Sequence, residues 1–496
     1  DAAGNPQFTG LAYDALVSFQ QTTGADGLRL VPDLALSIPT PTDGGRTYTF
    51  RIRPGIRYSD GQRLRASDFR RGIQRLFRVR SQGTFLYGGL VGAQACEAHP
   101  RGCHLTRGIV TNDALRTVTF HFTAPDPEFL FHLTEFAFSA PIPPGTPDRE
   151  TNSPAVPGTG PYKIGSVAPD EIRFVRNPFF REWSHAAQPA GNPNSIVWRS
   201  VPSIQAGVTA IERGRADWLF GEPPFAQFHQ LELQYPSLLH NNPQWTVNFL
   251  PLNTHLAPFN DLRVRQALNY AINRATLVNF YGGPSFAIPT CQTIVPGIPG
   301  YRRYCPYTLH PRADGAWRAP DMARARRLVK QSGTIGERVV LVGGGQFGYI
   351  PPATTGYIAG VLRSLGYRVE VRPIPFASIT LAMDRRFQIS NYGAWIPNYP
   401  DPSSYVPAFF SCHGSNSNDY YCNPTIDREM RHAELLEPTH PSQATAIWQT
   451  VDRQLTDAAE WVPTVATREV EITSRRLHNY EYSPVWGFLA DQAWLP

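Results

Sequence analysis

RTYTFRIRPGIRYSDGQRLRASDFRRGIQRLF, residues 46–77, is the stretch whose reading decides the fold. Tyr48, Phe50 and Ile52 alternate with Thr49, Arg51 and Arg53, the spacing of a half-buried strand. Pro54-Gly55 and Ser59-Asp60-Gly61 carry turn chemistry, with Ile56 and Tyr58 between them. After Leu64 the period changes. Phe69, Ile73, Leu76 and Phe77 fall at helical spacing, and Ser67 and Asp68 stand where a first turn favours them. Arg70, Arg71 and Arg75 then fall on the opposite, solvated face. A strand, a turn and a helix account for the arginines better than a nucleic-acid surface does. Such a surface needs basic residues gathered with stacking aromatics on one face.

The totals agree with this reading. A chain of 496 residues is too long for one hydrophobic core, so two or three domains are expected. Hydrophobic residues make up 42% and charged residues 17%, which excludes a disordered polyelectrolyte. The net charge is +6, and all its Lys/Arg residues but Lys163 and Lys330 are arginines spread along the whole chain. That spread suggests a coding bias rather than a basic patch. No run is long and apolar enough to span a bilayer. The start, DAAGNPQFTG, lacks the basic and apolar regions of a signal peptide, so the expectation is a mature product, a trimmed form, or a domain of something larger.

Six cysteines fall into near neighbours: Cys96 with Cys103, Cys291 with Cys305, and Cys412 with Cys422. Closeness within loops favours these three pairings as disulfides, hence an oxidising compartment and an exported protein. CEAHPRGCH also offers Cys96, His99, Cys103 and His104 as a ligand-like cluster, but not at the spacing of a standard zinc motif. No metal is expected.

Further along, TVTFHF alternates Val118, Phe120 and Phe122 as a strand, and a proline-rich passage, APIPPGTPDRETNSPAVPGTGPY, suggests a boundary. IRFVRNPFF and SIVWRSV read as strands, GVTAIERGRADWLF as a helix ending near Gly214, and WTVNFLPLNT as an extended apolar run. DLRVRQALNYAINRATLVNFY reads as one long helix with the stripe Val264, Leu268, Ala271, Ile272 and Leu277. APDMARARRLVKQSG is a helix stopped by Gly333. RVVLVGG, ATTGYIAGVLRSLG and YRVEVRPIP form a β-α-β unit, which predicts an α/β domain with parallel pairing. A late helix spans roughly 443–459. GGGQFG, residues 343–348, matches a dinucleotide fingerprint, but Pro351 and Pro352 stand where the required helix should begin. No HExxH, GxSxG or P-loop occurs. No catalytic residue and no cofactor is assigned.

Four segments, in order, resemble one family. They are YTFRIRPGIRYSDGQRLRASDFRRGI; GTGPYKI (158–164) with FVRNPFF; LNT with DLRVRQALNYAINRATLV; and AWIPNYPDPSSYV. Together they resemble the peptide-type, family 5 extracellular solute-binding proteins of ABC importers. The resemblance implies a bilobal α/β fold of the type II periplasmic-binding-protein kind, with a small extra inserted domain and two crossing segments as a hinge. Mapped here, it places a discontinuous lobe at 1–39, 151–250 and 462–496, an inserted α+β domain at 40–150, and a continuous lobe at 251–461. The implied function is capture of a peptide or similar small polar solute by hinge closure and delivery to a membrane permease. The implied protein is a monomeric, non-catalytic receptor, exported and anchored to the membrane on the outer face of the cell, without nucleic-acid partners.

The fourth segment is where such a family frames its ligand. Trp395 then stands as an aromatic wall and Tyr399 keeps its place. Asn398 occupies the position of the aspartate that holds a peptide's α-ammonium, and Pro397 removes a main-chain donor beside it. This departure questions ordinary peptide recognition. Asn253 is expected to satisfy backbone at the hinge, Tyr13 is a further pocket candidate, and Asp401 reads as a turn residue. Two other readings are the same fold as the sensing module of a larger regulatory protein, and a secreted metal-dependent hydrolase built on the Cys/His cluster.

Overall fold

The computed structural model describes residues 6–149, 155–221, 223, 225–343, 350–373, 387–415 and 421–496. All but the first residue of GGGQFG lie outside these. The chain divides into two compact units, one of Asp1–Leu219 with Thr473–Pro496 and one of Phe220–Ile472.

In the first unit the opening stretch forms what its periodicity predicts. The strand Thr47–Arg51 buries Tyr48 and Phe50 and exposes Thr49 and Arg51. It pairs antiparallel with Thr117–His121, which pairs in turn with Ile109–Asn112. The helix Ala66–Arg78 covers this sheet with Phe69, Ile73, Leu76 and Phe77, all buried. Its start is fixed by Asp68, whose Oδ2 accepts the Arg65 amide at 2.9 Å, a capping-box contact that satisfies an otherwise orphaned donor. Leu16, Val17, Leu34 and Ala35 join the same hydrophobic cluster, so this layer and the start of the chain share one core.

The arginines of that helix do something the sequence does not disclose. Nη1 of Arg71 reaches the Ile142 carbonyl at 3.1 Å, and Nε of Arg75 reaches that of Pro147 at 2.9 Å; Nη2 of Arg75 also donates to the Arg149 carbonyl. Arg78 pairs with Asp148 and donates to the Cys103 carbonyl. The face expected to be merely solvated is a row of guanidinium forks binding the carbonyls of the proline-rich passage. Proline lacks an N–H, so such a passage cannot pair its own backbone and needs donors from elsewhere.

The second segment of the resemblance packs onto the start of the chain. The Gly160 amide donates to the Ala12 carbonyl at 3.0 Å, and Thr159 donates to the buried Asp14 carboxylate. A Cβ at Gly158 would sit 2.0 Å from that same carbonyl oxygen, so the position admits only glycine. The Gly158 carbonyl accepts the Ser59 amide at 2.8 Å, and the ring of Phe179 lies 3.0 Å from where a Gly61 Cβ would be. The SDG turn, the GTG loop and NPFF are therefore one packed junction. A meander of Tyr162–Val167, Glu171–Arg176 and Ser195–Arg199 follows.

The second unit holds two sheets. The β-α-β prediction is met: Arg338–Val342 and Arg368–Arg372 pair parallel, joined through the helix Ala353–Ser364, and Ile389–Ser390 pairs parallel on the other side. The second sheet is antiparallel, with Ala287–Pro289, Trp461–Thr473, Leu239–Pro251 and Gly393–Trp395 in that order. The helix Met322–Ser332 ends at Gly333 in the left-handed region, φ 76°, as read from sequence.

The stretch read as one long helix is two, Leu262–Ala271 and Arg274–Phe280. Ile272 is extended, and the Asn273 side chain accepts the Ala275 and Thr276 amides, capping the second helix. The apolar stripe is nonetheless buried as predicted. The break lets Arg274, fully buried, donate to the carbonyls of Thr290, Pro463 and Asn269. Burial lowers its pKa to about 9, so it stays charged at neutral pH.

All six cysteines are paired as the spacing predicts, 96–103, 291–305 and 412–422. Among the described residues no helix is long and apolar enough to cross a membrane.

Candidate functional site

The strand Gly393–Trp395 positions the fourth segment. It pairs with Leu239–Pro251 in the register Val247↔Trp395 and Phe249↔Gly393. The approach is close: a Cβ on Gly393 would sit 2.3 Å from the Phe249 carbonyl oxygen, so glycine is required for the pairing. Gly393–Trp395 is the last strand of its sheet, and among the described residues its outer edge carries no partner. An unpaired edge presents main-chain donors and acceptors to whatever extended chain lies beside it.

Behind this edge lies an aromatic cluster. Trp395 meets Phe409 edge to face, with centroids 5.0 Å apart. Phe409 meets Trp461 at 4.9 Å, and Phe249 stacks on Trp461 with an interplanar angle of 4°. Phe410 closes on Trp461 at 4.5 Å. Trp461, Phe249 and Phe410 are buried, and Trp395 is half-buried. Such tilted and offset contacts fix ring positions, so Trp395 is held in place by the core. Its Nε1 is buried without a hydrogen-bond partner among the described residues. Sequence reasoning found Trp395 but not Phe409, Phe410 and Trp461. The Phe-Phe pair after Tyr405 and the tryptophan opening a long apolar strand were the available signals.

The chain leaves the sheet at Ile396, which is exposed, and runs through buried Pro397 to exposed Asn398 and buried Tyr399. Asn398 makes no side-chain hydrogen bond among the described residues. Asp401 is a turn residue: its Oδ1 accepts the Ser403 amide at 2.9 Å and starts the short helix Pro402–Ser404.

Asn253 is buried. Its backbone amide donates to the Gln388 carbonyl and its Oδ1 accepts the His255 amide at 3.1 Å, while Nδ2 is buried without a partner among the described residues. It therefore supports local backbone. Tyr13, in the other unit, donates its hydroxyl to the Val156 carbonyl at 2.9 Å, and burial raises its pKa to about 12. It is a neutral donor already engaged with backbone. The structure brings Trp395, Asn398 and Tyr399 together on one short segment, with Asn253 and Tyr13 each in its own setting.

Cys96 and Cys103 are spent in a disulfide, so the CEAHPRGCH cluster has no thiolate to offer a metal. Among the described residues no group of three or more His, Cys, Asp or Glu side chains is placed to hold one.

The two-unit α/β architecture, with a parallel β-α-β layer and a long antiparallel sheet in one unit, is that of the bilobal, type II solute-binding fold. The chain belongs to the bacterial extracellular solute-binding proteins, family 5, whose model matches residues 29–417. Curated relatives include the glutathione-binding protein GsiB of Escherichia coli (strain K12), 22% identical over 489 residues, covering 96% of this chain and 88% of that protein. Among solved structures, clavulanic acid biosynthesis oligopeptide binding protein 2 superposes with a TM-score of 0.83 at 20% identity, covering 99% of this chain and 91% of that one. The periplasmic murein tripeptide binding protein MppA in its unliganded open form gives 0.80 at 19% identity, covering 99% and 94%. Both match the fold along the whole chain.

Proposed function

We propose that this protein is the extracytoplasmic receptor of an ABC importer, a monomer without catalytic activity that captures a peptide or similar small polar solute and hands it to a membrane permease. The observation that carries the ligand class is the outer edge of Gly393–Trp395, unpaired among the described residues. An extended peptide-like ligand adds there as a further strand, with main-chain hydrogen bonds giving affinity and the Trp395 ring flanking a side chain. The relatives support the class, since the names of several specify glutathione, oligopeptides or a murein tripeptide. Asn398 sets this chain apart within it. An amide supplies no charge, so a free amino terminus is not selected at this position. The disulfides and the family support a location outside the cytoplasm.

Hydrogen exchange tests the site. Solute that co-purifies with the protein is identified by native mass spectrometry. It is then removed and added back alongside glutathione and unrelated tripeptides. Protection of the amides of residues 393–396, 398 and 399 on binding is the expected result. Tight binding that leaves these amides exchanging as before would move the site elsewhere.

A further inference from the structure

A concave site lies in the first unit, far in sequence from the strand that carries Trp395. It is a groove of about 650 Å³ lined by Arg78, Arg80, Ala98, His99, Pro100, Arg101 and Gly102. Among the described residues, four of the seven that line it are arginine or histidine and none is acidic. Arg78 is already engaged, bound to Asp148 at 3.0 Å and to the Cys103 carbonyl at 3.1 Å, and its Nε is buried with no partner among the described residues. Arg80 and Arg101 are exposed and form no ion pair among the described residues. Among the described residues two guanidinium groups therefore line one concavity without an ion-pair partner.

The walls are rigid for a surface feature. One is the end of the helix Ala66–Arg78, whose amphipathic face is buried in the core. The other is the loop that the Cys96–Cys103 disulfide closes, pinned by the Gly102 amide donating to the His99 carbonyl at 3.1 Å. Arg80 sits between them at φ 54°, in the left-handed region, where its amide bonds the Phe77 carbonyl at 3.1 Å. A long cationic residue in that conformation costs more than glycine or asparagine would.

We propose that this groove is an anion site that takes a phosphoryl group. The guanidinium is planar and presents paired N–H donors that match phosphate oxygens two at a time. Among the described residues no Phe, Tyr or Trp lines the groove, so it lacks the broad aromatic platforms on which successive bases of a single strand stack. The volume exceeds one free phosphate. It suits a phosphodiester with its substituents, as in an anionic lipid headgroup, or a small soluble polyphosphate. The site is independent of the solute-capturing strand and does not rest on how that strand is read.

Two probes separate the sources: inorganic pyrophosphate in calorimetry, and phosphatidylglycerol vesicles compared with phosphatidylcholine vesicles in co-sedimentation. Each is tested on the full chain and on Arg80→Gln/Arg101→Gln, with circular dichroism and melting to verify the fold. Arg326→Gln/Arg327→Gln, on the exposed face of Met322–Ser332, removes the same charge from the other unit. The proposal expects binding of pyrophosphate, of anionic vesicles, or of both. That binding should weaken at least tenfold in the groove variant, fall with added salt, and persist in the matched variant. Pyrophosphate alone would mean a soluble ligand, and anionic vesicles alone a headgroup. Binding of neither probe overturns the proposal. So does binding that drops equally in both variants, because the net charge of the chain would then explain it.

Discussion

At Asn398 a single amide stands where the family resemblance calls for a carboxylate, and the chemistry of the difference is simple. A hydrogen bond to a charged partner contributes about 1.5–3 kcal/mol, or one to two decades of affinity for an ammonium. Asn398 is exposed and makes no side-chain hydrogen bond among the described residues, so Asn398→Asp adds a charge without breaking a contact. Calorimetry with matched tripeptides, free or acetylated at the amino terminus, should show little preference in the natural protein. In the variant it should show a ten- to hundredfold gain for the free amine. A strong natural preference for the free amine would mean that another acidic residue anchors it. Gly158 is a residue of the opposite kind, fixed by space rather than charge. Gly158→Ala puts a methyl 2.0 Å from the Ala12 carbonyl oxygen, so the junction of the first two segments must shift. We expect a loss of about 3 kcal/mol or more, read as a fall in denaturant midpoint. An unchanged midpoint would show that the loop is free to move away.

The arginine-bearing helix shows best how far sequence reached and where it stopped. Its existence, its buried face and its partner strand were legible because Tyr48, Phe50, Phe69, Ile73 and Phe77 each follow one period and each end up buried. The β-α-β unit and the three cysteine pairs were legible for similar local reasons. The work of Arg71 and Arg75 was not, because their acceptors lie about seventy residues away and carbonyl oxygens leave no mark on sequence. The break at Asn273 was missed because the apolar stripe continues across it; the cap that wins there is a side-chain contact at the same spacing. In the candidate segment, Trp395 and Asn398 were named through the resemblance. The ring cluster behind them was not, since Phe249, Phe409 and Trp461 come from three separate stretches. Replacing Arg75 by Met should free the passage at 147–149 while keeping the apolar stem. Limited proteolysis should then cut within 142–149 at least several times faster than in the natural protein. An equal rate would show that the passage holds itself in place.

Over the whole molecule, buried carboxyls set how stability depends on pH. Burial raises Asp491 to about 7 and Asp452 to about 6, although Asp452 accepts the Thr293 and Ile294 amides. Asp14 and Asp33, buried together, are shifted the same way. In an unfolded chain such groups titrate near 4. The folded protein thus holds protons between about pH 4 and 7 that the unfolded chain has released. Their contribution is full below pH 4 and is lost as pH rises through 7, so melting temperature should fall from pH 5 to pH 8. Asp491→Asn should flatten that fall, and an equal slope in both proteins would remove Asp491 from the account. Ligand acts on the same scale. A solute bound to the native state alone stabilises it by about 2.7 kcal/mol at a hundred times Kd. The central claim, however, is capture by closure, and melting does not report shape. Small-angle scattering on ligand-stripped protein, before and after saturation with the co-purifying solute, tests it most directly. The account predicts a smaller radius of gyration at saturation. An unchanged radius, with calorimetry showing the site filled, would contradict it.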